Sequence, residues 1–137
     1  MDLLVQFITS YPFSAVLILT SLDAAAATTE DHLYAPLQVL TPPTNLEATP
    51  LADRLAQIPR YVPPSPSKSY PPFLPCAGLT RRLLASLQST TAPPHATLAY
   101  WCTEADNRDD AVRYAGVVTY LLGIRESLVH DIGMCSC

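Results

Sequence analysis

Residues 73–124 constrain this chain most, because within 52 residues they order a loop, a helix, a strand and a second helix. The loop is Leu74, Pro75, Cys76, Ala77 and Gly78. Thr80 precedes Leu83, Leu84 and Leu87, an apolar stripe at spacings of three to four that predicts a short helix with its N-terminal amides facing the loop. Pro93 and Pro94 end helical structure, and residues 96–102 are apolar and rich in strand formers, as a strand buried on both faces should be. A polar acidic loop follows over 104–108. Asp109 and Asp110 suit the positive end of a helix dipole, and Ala111, Ala115, Val118 and Leu122 recur at helical spacing. Gly123 stands where a left-handed C-terminal cap belongs. This order is half of an α/β domain.

The rest of the chain gives less. Residues 15–22 predict a second strand, and residues 50–58, with Leu51, Leu55 and Ile58, predict a short helix. Leu3, Leu4, Phe7 and Ile8 read as the end of a helix with only Asp2 to cap it, the pattern of a sequence that starts inside a longer protein. The chain has 14 prolines, seven of them within 59–75. That stretch reads as a surface linker, and its Pro63, Pro64, Ser65 and Pro66 favour polyproline II. Ser65, Ser67 and Ser69 make it a phosphorylation candidate. About 90 residues remain for packing. Two strong strands are legible, and a two-stranded parallel sheet is not stable by itself, so the expectation is an incomplete domain that leaves Val16, Ile18, Leu98 and Tyr100 exposed.

Composition removes several function classes. The net charge is −4 and the pI about 5.1, and among eight Lys and Arg residues only Arg81 and Arg82 are adjacent, so no basic stripe exists to neutralise phosphates. Residues 13–27 look superficially like a signal peptide, but no Lys or Arg precedes Arg54, Asp2 lies where positive charge belongs, and Tyr11 and Pro12 interrupt the apolar run. The apolar run 15–19 is too short to span a bilayer. Cytosolic placement follows.

Cys76, Cys102, Cys135 and Cys137 are too few and too uneven for a disulfide scaffold, and read as reduced thiols. His32, His95 and His130 supply no zinc-ligand spacing. Ser86 or Cys76 as nucleophile would need His95 as base, and the expectation is instead a surface histidine in a turn. Glu104, Asp106, Asp109 and Asp110 are accounted for by a solvated loop and a helix N-terminus. No Walker loop is present, and Gly78 alone is no dinucleotide fingerprint. The end of the first strand, 20–23, is where a ligand of an α/β fold would bind. No catalytic, metal or cofactor-binding residue is assigned.

Four blocks in order resemble the proteasome assembly chaperone 2 family. They are Leu74, Pro75, Gly78, Leu79 and Thr80; Glu104, Asp106 and Asn107 followed by Asp110, Ala111, Val118, Tyr120 and Leu121; residues 15–21; and Ala35, Pro36, Leu37, Leu40, Thr41 and Pro42. The resemblance covers roughly residues 3–124 and lacks the family's amino-terminal half. Cys76 and Ala77 stand where the family's loop is richer in glycine. The family's hydrophobic-tyrosine-any tail is replaced here by Met134, Cys135, Ser136 and Cys137.

The resemblance implies a three-layer α/β fold, a mostly parallel sheet flanked by helices. It implies a partial domain over 1–124 with a Pro-rich insertion at 59–75, and an irregular tail at 125–137. It also implies a non-enzymatic chaperone subunit that pairs with its chaperone 1 relative and guides α-type subunits into the 20S proteasome α-ring, in the cytoplasm and nucleus, with no cofactor, nucleic acid or membrane. The alternatives are a fragment of a nucleoside phosphorylase-like enzyme, whose fold the family resembles, and a small secreted protein.

Overall fold

Seven of the eight residues of His95–Cys102 are buried, which requires neighbours on both edges and both faces of that strand. A computed structural model, describing residues 2–27, 35–41, 46, 49–63, 69–103 and 107–124, supplies them. Strand β1 (Val16–Asp23) runs parallel to the buried strand, from Val16 opposite His95 to Asp23 opposite Cys102. Strand β2 (Leu37–Leu40) pairs antiparallel on the other side, Leu37 opposite Tyr100. With the buried strand as β3, the order is β1-β3-β2. The helices are α1 (Asp2–Ser10), α2 (Pro50–Leu55), α3 (Gly78–Gln88) and α4 (Arg108–Leu121). The chain is therefore mixed α/β, and the expected two-stranded parallel sheet is corrected to three strands of mixed direction.

Alternation along β3 divides the core. Ala96, Leu98 and Tyr100 pack with Leu37 and Val39 and with Leu55, Val117, Tyr120 and Leu121 from α2 and α4. Ala99 and Trp101 pack with Leu22, Leu40, Tyr61, Leu74 and Leu84. Ile8 of α1 meets Leu83 and Leu87 of α3, with Val16 and Ile18 half-buried beside them. Leu98 and Tyr100, expected to be exposed, are buried. Each leucine buried in this way is worth roughly 1.5–3 kcal/mol relative to exposure.

Helix α4 presents a different face from the one expected. Val117, Tyr120 and Leu121 are buried, whereas Ala111, Ala115 and Leu122 are exposed and, of the expected stripe, Val118 alone packs against the core. Alanines offer little apolar area, while the tyrosines bury their rings and still satisfy their hydroxyls: Tyr114 donates to the Leu98 carbonyl at 2.6 Å and Tyr120 to Gln57 Oε1 at 2.9 Å. The helix ends as expected. Gly123 has φ 78°, its N–H donates to the Tyr120 carbonyl, and the Ile124 N–H donates to that of Thr119, the two bonds of a Schellman cap. Arg54 of α2 reaches this cap, donating from Nη1 to the Leu121 carbonyl at 3.1 Å with its guanidinium over the Tyr120 ring. A Cβ at position 123 would lie 2.7 Å from Arg54 Nη1, a contact that the tip of the arginine could relieve only by shifting, so glycine is favoured there chiefly by φ.

The described parts of the Pro-rich stretch, 59–63 and 69–75, are not the surface linker expected, and Pro64 and Pro66 of the polyproline II segment lie outside the described residues. The Val39 N–H donates to the Pro59 carbonyl and the Tyr61 N–H to the Val39 carbonyl, so residues 59–61 cover the outer edge of β2. Tyr61 stacks on Trp101 at 6.2 Å between ring centroids and donates to the Phe73 carbonyl at 2.8 Å. Pro71, Pro72, Leu74 and Pro75 are buried. Prolines suit this role because they lack an N–H that would need a partner. Ser65 and Ser67, like the tail 125–137, lie outside the described residues, and Ser69 is exposed.

Candidate functional site

The polar residues of the first strand's carboxyl end meet the loop before α3. Thr20 Oγ1 lies 2.9 Å from Thr80 Oγ1. Asp23 accepts from the Ala25 N–H at Oδ1, capping the short turn 24–26, and from the Cys76 thiol at Oδ2, 3.7 Å away. Cys76 has φ 58°, a left-handed conformation that glycine adopts far more readily. The segment 20–23 and the loop 74–78 thus converge. Their polar groups are engaged with one another.

Cys76 and His95 are not brought together as a nucleophile and its base. Cys76 sits at the Asp23 end of the sheet, whereas His95 starts β3, seven residues or about 23 Å away along the strand. His95 is buried rather than on the surface, with Nδ1 3.0 Å from the Pro93 carbonyl. Ser86 donates to the Arg82 carbonyl within its own helix. Burial first, and then the Asp110 charge, push the Cys102 thiol up, which disfavours the thiolate. Asp110 accepts from the Tyr100 hydroxyl at 3.0 Å. Burial, followed by that bond, raises Tyr100 to about 12, so the phenol stays neutral. Glu104, Asp106, His32, His130, Cys135 and Cys137 lie outside the described residues. Among the described residues, no group of three or more His, Cys, Asp or Glu side chains could hold a metal ion, and no helix is long and apolar enough to cross a membrane.

Exposed apolar groups occur at several places on the described residues, and two of these surfaces stand out. On α1, Val5 and Ile8 turn inward while Leu3, Leu4 and Phe7 face outward, Phe7 at 52 % exposure. The chain then turns through Tyr11 and Phe13, whose rings lie 5.0 and 5.6 Å from that of Phe7. The signal for this cluster was present in the sequence, since Phe7 and Tyr11 are four residues apart at the end of a helix. Asp2 is the sole charged residue between positions 2 and 22, so the patch is apolar without a charged rim from its own segment.

The second surface is β1 itself. It is the outer strand of the sheet, Leu19 is 48 % exposed, and among the described residues nothing pairs with its free edge. Exposed apolar patches and bare strand edges are both means by which a folded unit recruits another polypeptide. Compared with known proteins, the chain matches no family model and no curated sequence.

Proposed function

We propose that this chain is a non-enzymatic chaperone subunit of the proteasome assembly chaperone 2 type. It would pair with a chaperone 1 subunit and steer α-type subunits into the 20S α-ring, in the cytoplasm and nucleus. Its complete domain would be three-layered, with a mostly parallel sheet flanked by helices. The observation that carries this reading is the apolar cluster of Phe7, Tyr11 and Phe13 beside Leu3 and Leu4. A partner that buried it would gain the apolar and aromatic contacts that dominate protein interfaces. The four blocks in order supply the identity of the partner.

Affinity purification of the tagged chain from cells tests the proposal. The expected result is recovery of the chaperone 1 subunit and α-type proteasome subunits, reduced when Phe7 and Phe13 are both replaced by serine. Recovery of neither class by the unsubstituted chain overturns the reading. Phosphate-dependent nucleoside cleavage by the pure protein would replace it with the enzyme alternative.

A further inference from the structure

The geometry points to a second copy of this chain as the occupant of the free β1 edge, paired antiparallel about a two-fold axis with Leu19 opposite Leu19. The direction of the backbone groups gives the register. The Val16 N–H donates to the Pro94 carbonyl, on the β3 side. N–H and C=O of one strand residue point the same way and alternate, so Val16, Ile18, Thr20 and Leu22 are committed to β3. Leu17, Leu19 and Ser21 therefore aim their N–H and C=O groups outward.

A two-fold antiparallel pair that keeps each sheet face continuous opposes residues of equal parity. Centring it on Leu19 sets Leu17 against Ser21 and Leu19 against its mate, all of them outward-bonding residues that can exchange both hydrogen bonds. Each of these residues lies on the face shared with Leu98, where Leu19 and Ser21 are exposed. The pair would cover Leu19 with its symmetry mate and join two three-stranded sheets into one of six.

Between two copies, charge favours the antiparallel orientation. Asp23 falls opposite Ala15 of the other copy, and no like charges meet, whereas a parallel pair of copies would set Asp23 beside Asp23. The strand also lacks the devices that keep an edge single. From Ala15 to Leu22 there is no Lys, Arg, Pro or Gly, whereas the opposite edge of the sheet is occupied by residues 59–61. This inference does not depend on the chaperone reading.

Sedimentation of the purified 137-residue chain over a concentration series, with amide hydrogen exchange on the same samples, tests it. The expected result is a monomer–dimer equilibrium in which Leu17, Leu19 and Ser21 amides become protected in step with dimer, while Ile18, Thr20 and Leu22 are protected throughout. Leu19→Lys should weaken the dimer by about thirtyfold, since it removes two half-buried leucines at the axis and opposes two cations. Leu122→Lys, at an exposed site on the end of α4, should leave it unchanged. If Leu19→Lys loses the protection of Ile18 and Thr20, Leu19→Thr, which keeps a strand former, carries the same test. A monomer at every concentration overturns the proposal. So do a dimer indifferent to both substitutions, protected odd-numbered amides in the monomer, and growth beyond the dimer.

Discussion

The two outer strands of the sheet flank the same β3 and are finished in opposite ways. Beyond β2, Pro59 and Tyr61 bond to both backbone groups of Val39, and Tyr61 adds a stacked ring against Trp101. Along β1, eight residues in register with β3, Leu19 is half-exposed and, among the described residues, nothing pairs with the outward amides. The four-residue strand is therefore the better protected one, and the eight-residue strand the more exposed. Strand length says little about how securely an edge is held; what lies outside it decides.

The largest effect on this contrast is expected at high pH. Burial raises Tyr61, Tyr70 and Tyr100 to about 12, above the ordinary value of 10, so their neutral forms are favoured in the folded chain. The stability they contribute is complete below pH 10 and lost as pH rises toward 12. Thermal unfolding followed from pH 7 to 12 should show little tyrosine-linked change until 10 and a steep fall beyond it, with near-ultraviolet signals of the Tyr61–Trp101 stack lost together with the fold.

Tyr61→Ala comes next. Removing a buried ring, its hydroxyl bond and its stack should cost about 3 kcal/mol in urea denaturation. Gln38→Ala removes the acceptor of the Trp101 indole N–H, 3.1 Å away inside the core, and should cost about 1–2 kcal/mol. Tyr61→Phe, which leaves the ring and deletes only the bond to Phe73, should cost about 1 kcal/mol. On the opposite edge, Leu19→Ala at concentrations that keep the chain monomeric should stay within about 0.5 kcal/mol of the parent. A cost for Leu19→Ala equal to that of Tyr61→Ala would abolish the contrast between the edges.

What could be read in advance followed the reach of each signal. The strands at 15–22 and 96–102, the helix around Leu83, Leu84 and Leu87, and the Gly123 cap are written in local periodicity and backbone preference, and they stand where expected. Strand β2 carries little local signal, because it is four residues long, lies just after Pro36 and has Gln38 at a buried position; its polarity is balanced by Trp101, 63 residues away. The Pro-rich stretch was misplaced for a related reason. Composition describes a chain in water, and the burial of Pro71, Pro72 and Pro75 depends on surfaces that exist only once the sheet has formed. His95 looked exposed because Pro93 and Pro94 announce a turn, yet it is the first residue of the central strand. At the candidate surfaces, Tyr11 reads from the sequence as a break in an apolar run and not as a partner of Phe7, and that β1 is outermost requires the strand order.

The contact between Arg54 and the end of α4 bears on the sequence of events during folding. Helix α2 has six residues, too few to persist alone in water, and its clearest anchor is a carbonyl 67 positions further along the chain. Closing so long a loop is costly until the distant element exists. Helix α4 and β3 adjoin each other in the chain and can meet early; α2 rests Leu55 on the sheet but gains its Arg54 contact only once the Schellman cap has formed. It should therefore be the last helix to assemble and the first to open, with its amides exchanging ahead of those in α4.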